Sequence, residues 1–455
     1  MPTSPVGLVW VGRWVEVVGW GALGKGCGVW WGGLRWGRLR WGGWVGGWVG
    51  GWVVGWGVWD RWASQLVGGS CACEAASAGV LGSKCNFRSL WACDNMPGCL
   101  TILEGYDSSM CVFSDILEFS PAAQALYKRI QMSGEPLDVH REWPRLLAAG
   151  GLSPRWCSKH KAYCDRRRAS PDMDISGSPC PPWSTMGQRQ GSSSHLTVLF
   201  LAWALWARAA CPLLLIHENV KSFDTSMLQL VLGDLYDITI LDVRPTHSGF
   251  HAVKRPRSYC LLFRRGRVKM LRDASKLYRD VAAMVGGLSP KQHISDFFIA
   301  EGVDLMNEEN RIRAFKHLPK VRQASKDWSY LLTEKQRMYL SAYMSAVPPT
   351  CQLKDCIFDV SQNPCRQRGR WTLDGTLPTV TTVSKLWVPS LRRFVLPVEL
   401  ACAHGFPVTS TAAADAGVVQ DMVPYTHRQI GNCMHLASVG IVLAVAAASV
   451  SRASE

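Results

Sequence analysis

Asp172-Met-Asp-Ile-Ser-Gly-Ser-Pro-Cys-Pro-Pro-Trp-Ser184 decides how the rest of this chain is read. Its first residues form a short apolar-centred strand that runs into Gly177. Pro179 and Pro181-Pro182 then clamp the backbone on both sides of Cys180, because proline has a fixed φ and no N–H to extend a strand or helix. The thiol is therefore predicted to stand on a stiff loop at the carboxyl end of a strand, where open α/β sheets bind their ligands. A thiolate held there is a strong nucleophile that needs little further activation. Residues Ser176–Ser184 would also suit a proline-rich turn around an inert cysteine, so the choice falls to what lies downstream.

Composition narrows that choice. The 455 residues have room for two or three domains. Fifty Lys and Arg against 35 Asp and Glu leave a formal charge of +15, which favours a polyanionic partner, nucleic acid before an acidic membrane. The 17 cysteines are odd in number and follow no disulfide framework, and no signal-peptide pattern opens the chain, so a reducing, intracellular setting is expected. Two apolar runs could imitate membrane spans. The one at 196–216 contains Arg208 and Pro212 and reads as a buried helix followed by a strand. The one at 435–450 is Ala-rich and short for a bilayer, and is expected as a buried terminal helix.

Taken in order, residues 1–62 are low-complexity Gly, Trp and Val, with thirteen of the 22 tryptophans, and offer neither a helical nor a strand period. So many glycines make ordering entropically costly, and disorder is expected. Leu66-Val-Gly-Gly-Ser-Cys then opens the globular part with a glycine turn that could admit a ligand to a helix N-terminus. A second strand closes at Asp94 and a third at Asp115. A glycine turn followed by acids at strand ends is the pattern of a nucleoside-binding α/β half. Residues 120–170 read as an insertion with a helix at 122–132. In it Cys157, His160 and Cys164 lie close enough to hold Zn²⁺. A structural site needs a fourth ligand, for which Asp165 and Cys180 are poor candidates, so a solvated basic loop without metal is expected.

Beyond the Cys180 loop, the polar residues 187–194 could form a lid. A helix at 196–210 leads to a strand that delivers His217-Glu218-Asn219-Val220, placing a carboxylate where it could exchange a proton with a substrate. Arg255 and Arg257 alternate and are predicted on one side of a strand, converging on one anionic or carbonyl-bearing group. Lys316, Lys320, Arg322, Lys326 and Lys335 are predicted along helices as a phosphate-binding face.

With these residues assembled, the chain resembles the AdoMet-dependent cytosine-C5 DNA methyltransferases, from about residue 66 to 443. Gly177-Ser-Pro-Cys180-Pro-Pro-Trp-Ser184 is similar to their nucleophile loop, Glu218-Asn219-Val220 to their acidic element, and Arg255-Pro-Arg257 to their Arg-x-Arg pair. Arg393…Glu399…Gly405-Phe-Pro407 and Gln429-Ile-Gly431-Asn432 are similar to the two later elements, in the same order. His217 stands where the family usually has proline.

The resemblance implies an α/β fold: a Rossmann-like AdoMet-dependent methyltransferase sheet with a smaller target-recognition domain. Its expected divisions are a catalytic core at 63–264, a target-recognition region at 265–390 and a segment at 391–455 that returns to the core. It implies that Cys180 adds to C6 of a flipped cytosine, that Glu218 acts at N3, and that Arg257 holds the base carbonyl or the thiolate with Arg255 in support. It also implies S-adenosylmethionine as cofactor, contacted by Gly69, Asp94, Asp115, Pro179 and Asn432, with DNA as partner and hence a nuclear location. An RNA substrate, or a catalytically silent nucleic-acid-binding homologue, are the competing expectations.

Overall fold

A computed structural model describes residues 89–105, 110–164, 171–184, 187, 189–365, 371–406, 408 and 426–453, together with the backbone of Trp30–Trp31, Leu34–Arg35 and Trp62–Leu66. Seven strands form the main sheet: β1 (Trp62–Leu66), β2 (Ser89–Cys93), β3 (Cys111–Phe113), β4 (Met173–Gly177), β5 (Leu214–Asn219), β6 (Tyr236–Val243) and β7 (Arg257–Arg264). Their spatial order is β3-β2-β1-β4-β5-β7-β6, with β7 antiparallel to both its neighbours and the remaining pairs parallel. The order reverses between β1 and β4, so the crevice beyond their carboxyl ends is the ligand-binding position of such a sheet. The fold is the expected Rossmann-like α/β sheet.

Alternation along the central strands explains why both faces are covered. Met173 and Ile175 of β4, Leu214 and Ile216 of β5, and Leu261 and Phe263 of β7 fill one core, whereas Leu215, Cys260 and Leu262 fill the other. A strand buried on both faces reads as a continuous apolar run, which is what β5 and β7 show. β1 breaks that rule: Trp-Ala-Ser-Gln-Leu carries polar residues in the middle of the sheet, and its place is fixed by backbone pairing to β2 and β4 on its two sides. It begins at Trp62, one residue inside the stretch expected to be disordered. Further back, Trp30–Trp31 pairs antiparallel with Leu34–Arg35. The remainder of that stretch, and the glycine turn with Gly69, lie outside the described residues.

Helices complete the layers. We label them α1 (Pro97–Gly105), α2 (Pro121–Ser133), α3 (Val139–Ala149) and α4 (Thr197–Ala210). α4 is apolar all round and accordingly buried, with Trp203 and Trp206 among the largest fully covered side chains. It stops where Cys211 turns left-handed (φ 47°) ahead of Pro212. The expectation that 120–170 is an insertion needs correction. α2 starts on a Ser120 cap with Pro121 in its first turn, and its Ala123, Leu126 and Ile130 pack in the same cluster as α4. It belongs to the core of the sheet, on the connection from β3 to β4. α3 adds Val139, Trp143 and Leu146 to that cluster, followed by a hairpin of Arg155–Cys157 and Ala162–Cys164.

The smaller unit has its own apolar cluster, including Trp328, Tyr343, Phe358 and Trp387, around a four-stranded sheet ordered Trp371–Thr372, Ile357–Asp359, Leu386–Val388, Arg393–Phe394. Its last strand thus lies past residue 390, and helix Ala274–Leu288, expected with this unit, packs instead in the main core. Helix Leu436–Ser449 lies against Ala274–Leu288 within that core. It hands over to Val450–Arg452, paired antiparallel with Val268–Met270. His427–Ser449 is long and apolar enough to cross a bilayer, but 78% of its apolar window is buried inside the protein. That is the buried terminal helix expected from the sequence.

Candidate active site

Backbone geometry builds the Cys180 loop. β4 ends at Gly177, and the carbonyl of Cys180 then accepts from Trp183 N (3.0 Å) and Ser184 N (2.9 Å), closing a tight turn directly behind the cysteine. The root of the loop is pinned from β5. Asn219 Nδ2 donates to Ser178 Oγ (2.9 Å) and Ser178 O (3.2 Å), and His217 Nε2 lies 3.0 Å from Ser178 Oγ. His217 is buried among Phe200, Trp203 and Phe223. His217 therefore holds the Cys180 loop, a role sequence reading did not assign to it. The polar stretch expected as a lid is tied to the same loop where it is described, through Gly191 N donating to Pro182 O (3.0 Å).

Three charged side chains surround the thiol. Glu218 is in register with Gly177 of β4 on one side and Tyr259 of β7 on the other. Because β7 runs antiparallel, its first residue, Arg257, comes to the carboxyl end of β5, where Arg257 Nε and Glu218 Oε1 meet at 2.9 Å in a pair only 13% and 12% exposed. Cys180 itself is exposed at the mouth. The protein packed behind it still withholds enough water to push the thiol pKa up; Arg257 pulls it down, Glu218 adds to the rise and Arg255 opposes it.

The expectation for the two arginines is half met. β7 begins at Arg257, so Arg255 precedes the strand and the alternation rule does not reach it. The two guanidinium groups contact different partners. Arg255 is buried and donates to the carbonyls of Val380 (3.0 Å), Gly431 (3.2 Å) and Cys433 (2.6 Å), joining the smaller unit and the C-terminal segment to the floor of the site. Burial, and after it the neighbouring Arg257 charge, lower its pKa to about 10. A side-chain carbon at Gly431 would stand 2.3 Å from the Thr381 backbone, so only glycine allows this close approach.

Of the expected cofactor contacts, Asp94, Asp115 and Pro179 follow the carboxyl ends of β2, β3 and β4, and Gly69 lies outside the described residues. Asp94 follows β2, is buried, and accepts from Met96 N at 2.8 Å. Asp115 follows β3, where it caps the next turn by accepting from Leu117 N (2.9 Å), and partial burial raises its pKa against that bond. Helix His427–Asn432 approaches the start of α1, where Gln429 fills the space over Gly98, and Asn432 ends that helix. Pro179 is half-buried beside Cys180. These acceptors suit the hydroxyls of a ribose and an exocyclic amine, so the residues present fit a nucleoside-bearing cofactor.

The basic residues expected on helices are placed otherwise. Lys316, Lys320, Arg322 and Lys326 fall in the connection after helix Gly302–Phe315, and only Lys335 lies on helix Glu334–Ala346. Asn310 and Glu309 hold that connection through Val321 and Ser325, leaving Lys320, Arg322 and Lys326 exposed.

Four buried histidines make this region acid-sensitive. Burial drives His217 and His435 down to about 3 and His427 to about 4, and lowers His404 well below its ordinary 6.5. The unfolded chain therefore binds protons at these rings near pH 6.5 while the folded chain does not, so stability present at neutral pH is lost as pH falls through 6.5. Each ring contributes a slope of up to about 1.4 kcal/mol per pH unit. We expect the melting temperature to drop between pH 6.5 and 5, above the carboxylate range, in calorimetric scans. A flat profile there would show that the rings titrate normally in the folded protein.

Comparisons with known proteins place these residues in context. Residues 159–237, which include the Cys180 loop and Glu218, match the family model for C-5 cytosine-specific DNA methylase. This agrees with the resemblance read from the sequence. Among solved structures, the chain is similar to a protein described as a prophage-encoded DNA modification methyltransferase (E. coli), at 12% identity and a TM-score of 0.46, covering 84% of this chain and 97% of that one. It is also similar to the Dnmt2 methyltransferase of S. pombe, at 12% identity and a TM-score of 0.43, covering 85% and 98%. No curated protein matches.

Proposed function

We propose that this protein transfers a methyl group from S-adenosylmethionine to C5 of cytosine in DNA through a covalent bond between Cys180 and C6 of the base. The observation that carries the proposal is the clustering of Cys180, Glu218 and Arg257 at adjacent strand ends, beside the point where the strand order reverses.

The chemistry calls for these groups. Ring C5 of cytosine is a poor nucleophile until C6 is attacked. The Cys180 sulfur adds to C6 and moves electron density towards C5 and N3, while Glu218, acting as an acid, gives N3 a proton that neutralises that charge and takes it back when the thiolate leaves. Arg257 supports the sulfur as thiolate and fixes the Glu218 carboxyl at 2.9 Å. When bound, the cofactor supplies an electrophilic methyl group for C5. Loss of the C5 proton then expels the Cys180 thiolate and restores the aromatic ring. Asp94 would accept from the ribose hydroxyls and Asp115 from the adenine amine, with Pro179 and Asn432 as further residues that would hold the cofactor. Arg255 keeps the C-terminal segment in place beneath them.

A base inside a duplex hides C5, so the target must be flipped out or already unpaired. The exposed Lys320, Arg322 and Lys326 give the smaller unit a surface suited to the phosphate backbone.

Oligonucleotides containing 5-fluorocytosine test the proposal, because fluorine at C5 prevents the final elimination. With S-adenosylmethionine present, a denaturant-stable adduct should form on duplex DNA, and peptide mass mapping should place it on Cys180. An adduct on RNA alone would replace DNA by RNA as the substrate. No adduct through Cys180 on either polymer would overturn the covalent mechanism.

A further inference from the structure

The hairpin that follows α3 brings a fourth ligand to the cysteines and histidine noted in the sequence. Cys157, His160 and Cys164 lie on the hairpin, and Cys111 is the first residue of β3, 49 residues before His160. The one Nδ1 atom of His160 lies 3.4 Å from Cys111 Sγ and 3.5 Å from both Cys157 Sγ and Cys164 Sγ, and the four ligand atoms all lie within 4.8 Å of one another. We propose that Cys111, Cys157, His160 and Cys164 form a structural zinc site that fastens this hairpin to the outer edge of the main sheet.

Hydrogen bonding does not account for the convergence. A ring nitrogen carries either one hydrogen or one lone pair, so Nδ1 can satisfy one sulfur and not three. A shared cation satisfies all of them. Zinc bound tetrahedrally, with Zn–S of about 2.3 Å and Zn–N of about 2.0–2.1 Å, has N···S edges of about 3.5 Å, the separation seen here. Three sulfurs and one imidazole are a zinc donor set, and softer ligands of this kind exclude magnesium and calcium. None of the three cysteines is joined in a disulfide.

The backbone is arranged to support thiolates. Val112 N and His160 N each point at Cys157 Sγ from 3.3 Å, and Cys157 is fully buried. Ser158 N donates to Val112 O at 2.9 Å, so the hairpin also covers part of the exposed edge of β3. β3 is only three residues long and, among the described strands, pairs only with β2. A metal bound to its first residue would anchor this short edge strand. No step of the proposed methyl transfer passes through the site, so the two proposals stand independently.

The full chain should be purified under reducing conditions without chelator and its metal content measured by plasma mass spectrometry. One zinc per chain is expected. Exchange for Co²⁺ should give thiolate-to-cobalt charge-transfer bands and the intense visible bands of tetrahedral cobalt. Cys111→Ser should lose the metal, His160→Cys should keep it, and Cys365→Ser, an exposed cysteine outside the cluster, should leave it unchanged. Chelation should expose Lys161 to trypsin. Wild-type protein without zinc and without a cobalt charge-transfer band would overturn the proposal, whether or not any variant folds. So would a disulfide mapped among Cys111, Cys157 and Cys164 in protein kept reduced.

Discussion

Cys180→Ser is expected to lower methyl transfer on the order of 10⁴-fold or more, the scale on which removal of a covalent nucleophile falls. Serine fits the loop, because the turn behind Cys180 is made by its carbonyl and not by its side chain. The hydroxyl is a far weaker nucleophile at neutral pH, and the Arg257 charge that supports a thiolate cannot ionise it. Affinity for S-adenosylhomocysteine should be nearly unchanged, since Asp94 and Asp115 hold their positions through Met96 and Leu117. The measurement is tritium transfer from labelled S-adenosylmethionine to duplex DNA, beside calorimetric titration of the product cofactor. Equal incorporation by wild type and variant would remove Cys180 from the mechanism. Loss of both transfer and cofactor affinity would mean that the substitution had damaged the fold.

The second large effect is on stability. Arg393 ends the small sheet and Glu399 opens helix Pro397–Ala403. Their side chains meet in a two-pronged pair of 2.6 and 2.8 Å, with Arg393 10% exposed and Glu399 fully buried. Glu399 Oε2 also accepts from Leu396 N (2.8 Å), and the Arg393 guanidinium lies over the Phe298 ring. Glu399→Ala would leave a covered guanidinium without its counter-charge. That should cost about 3–5 kcal/mol, a large part of the roughly 5–15 kcal/mol that holds an ordinary domain folded. Removing both charges in Arg393→Met/Glu399→Leu should cost less than the single change, because no buried charge is then left alone, although Leu396 N still loses its acceptor. Urea unfolding at constant m-value measures both. A single variant within about 1 kcal/mol of wild type would contradict the burial seen here.

Much of the site could be read locally. Pro179, Pro181 and Pro182 fix the Cys180 loop by their own covalent geometry, and Glu218 follows the short apolar run Leu213-Leu-Leu-Ile216, which marks a buried strand locally. α4 was visible because fourteen residues with almost no charge must be buried whatever surrounds them. Asp94 and Asp115 could be placed because acids closing apolar strands are a local pattern.

Other features depended on contacts between distant parts of the chain. β1 has polar residues in its middle and follows a Gly- and Trp-rich tract, so its local sequence hardly marks it as a strand; the ladders to β2 and β4 do. Arg255 and Arg257 look equivalent in sequence, but the strand begins between them. One arginine therefore binds three carbonyls from other segments while the other pairs with Glu218. His217 gave no sign that it would support Ser178.

The amino-acid sequence by itself determined the stiff Cys180 loop, the acidic strand ends and the two-face burial of the central strands, since each follows from the covalent or apolar character of adjacent residues. Only the tertiary structure decided that Cys111 faces His160, that α2 belongs to the core, and that Arg255 joins three segments. Those facts depend on how the chain closes over tens of residues, and no periodicity within a strand or helix encodes such a meeting.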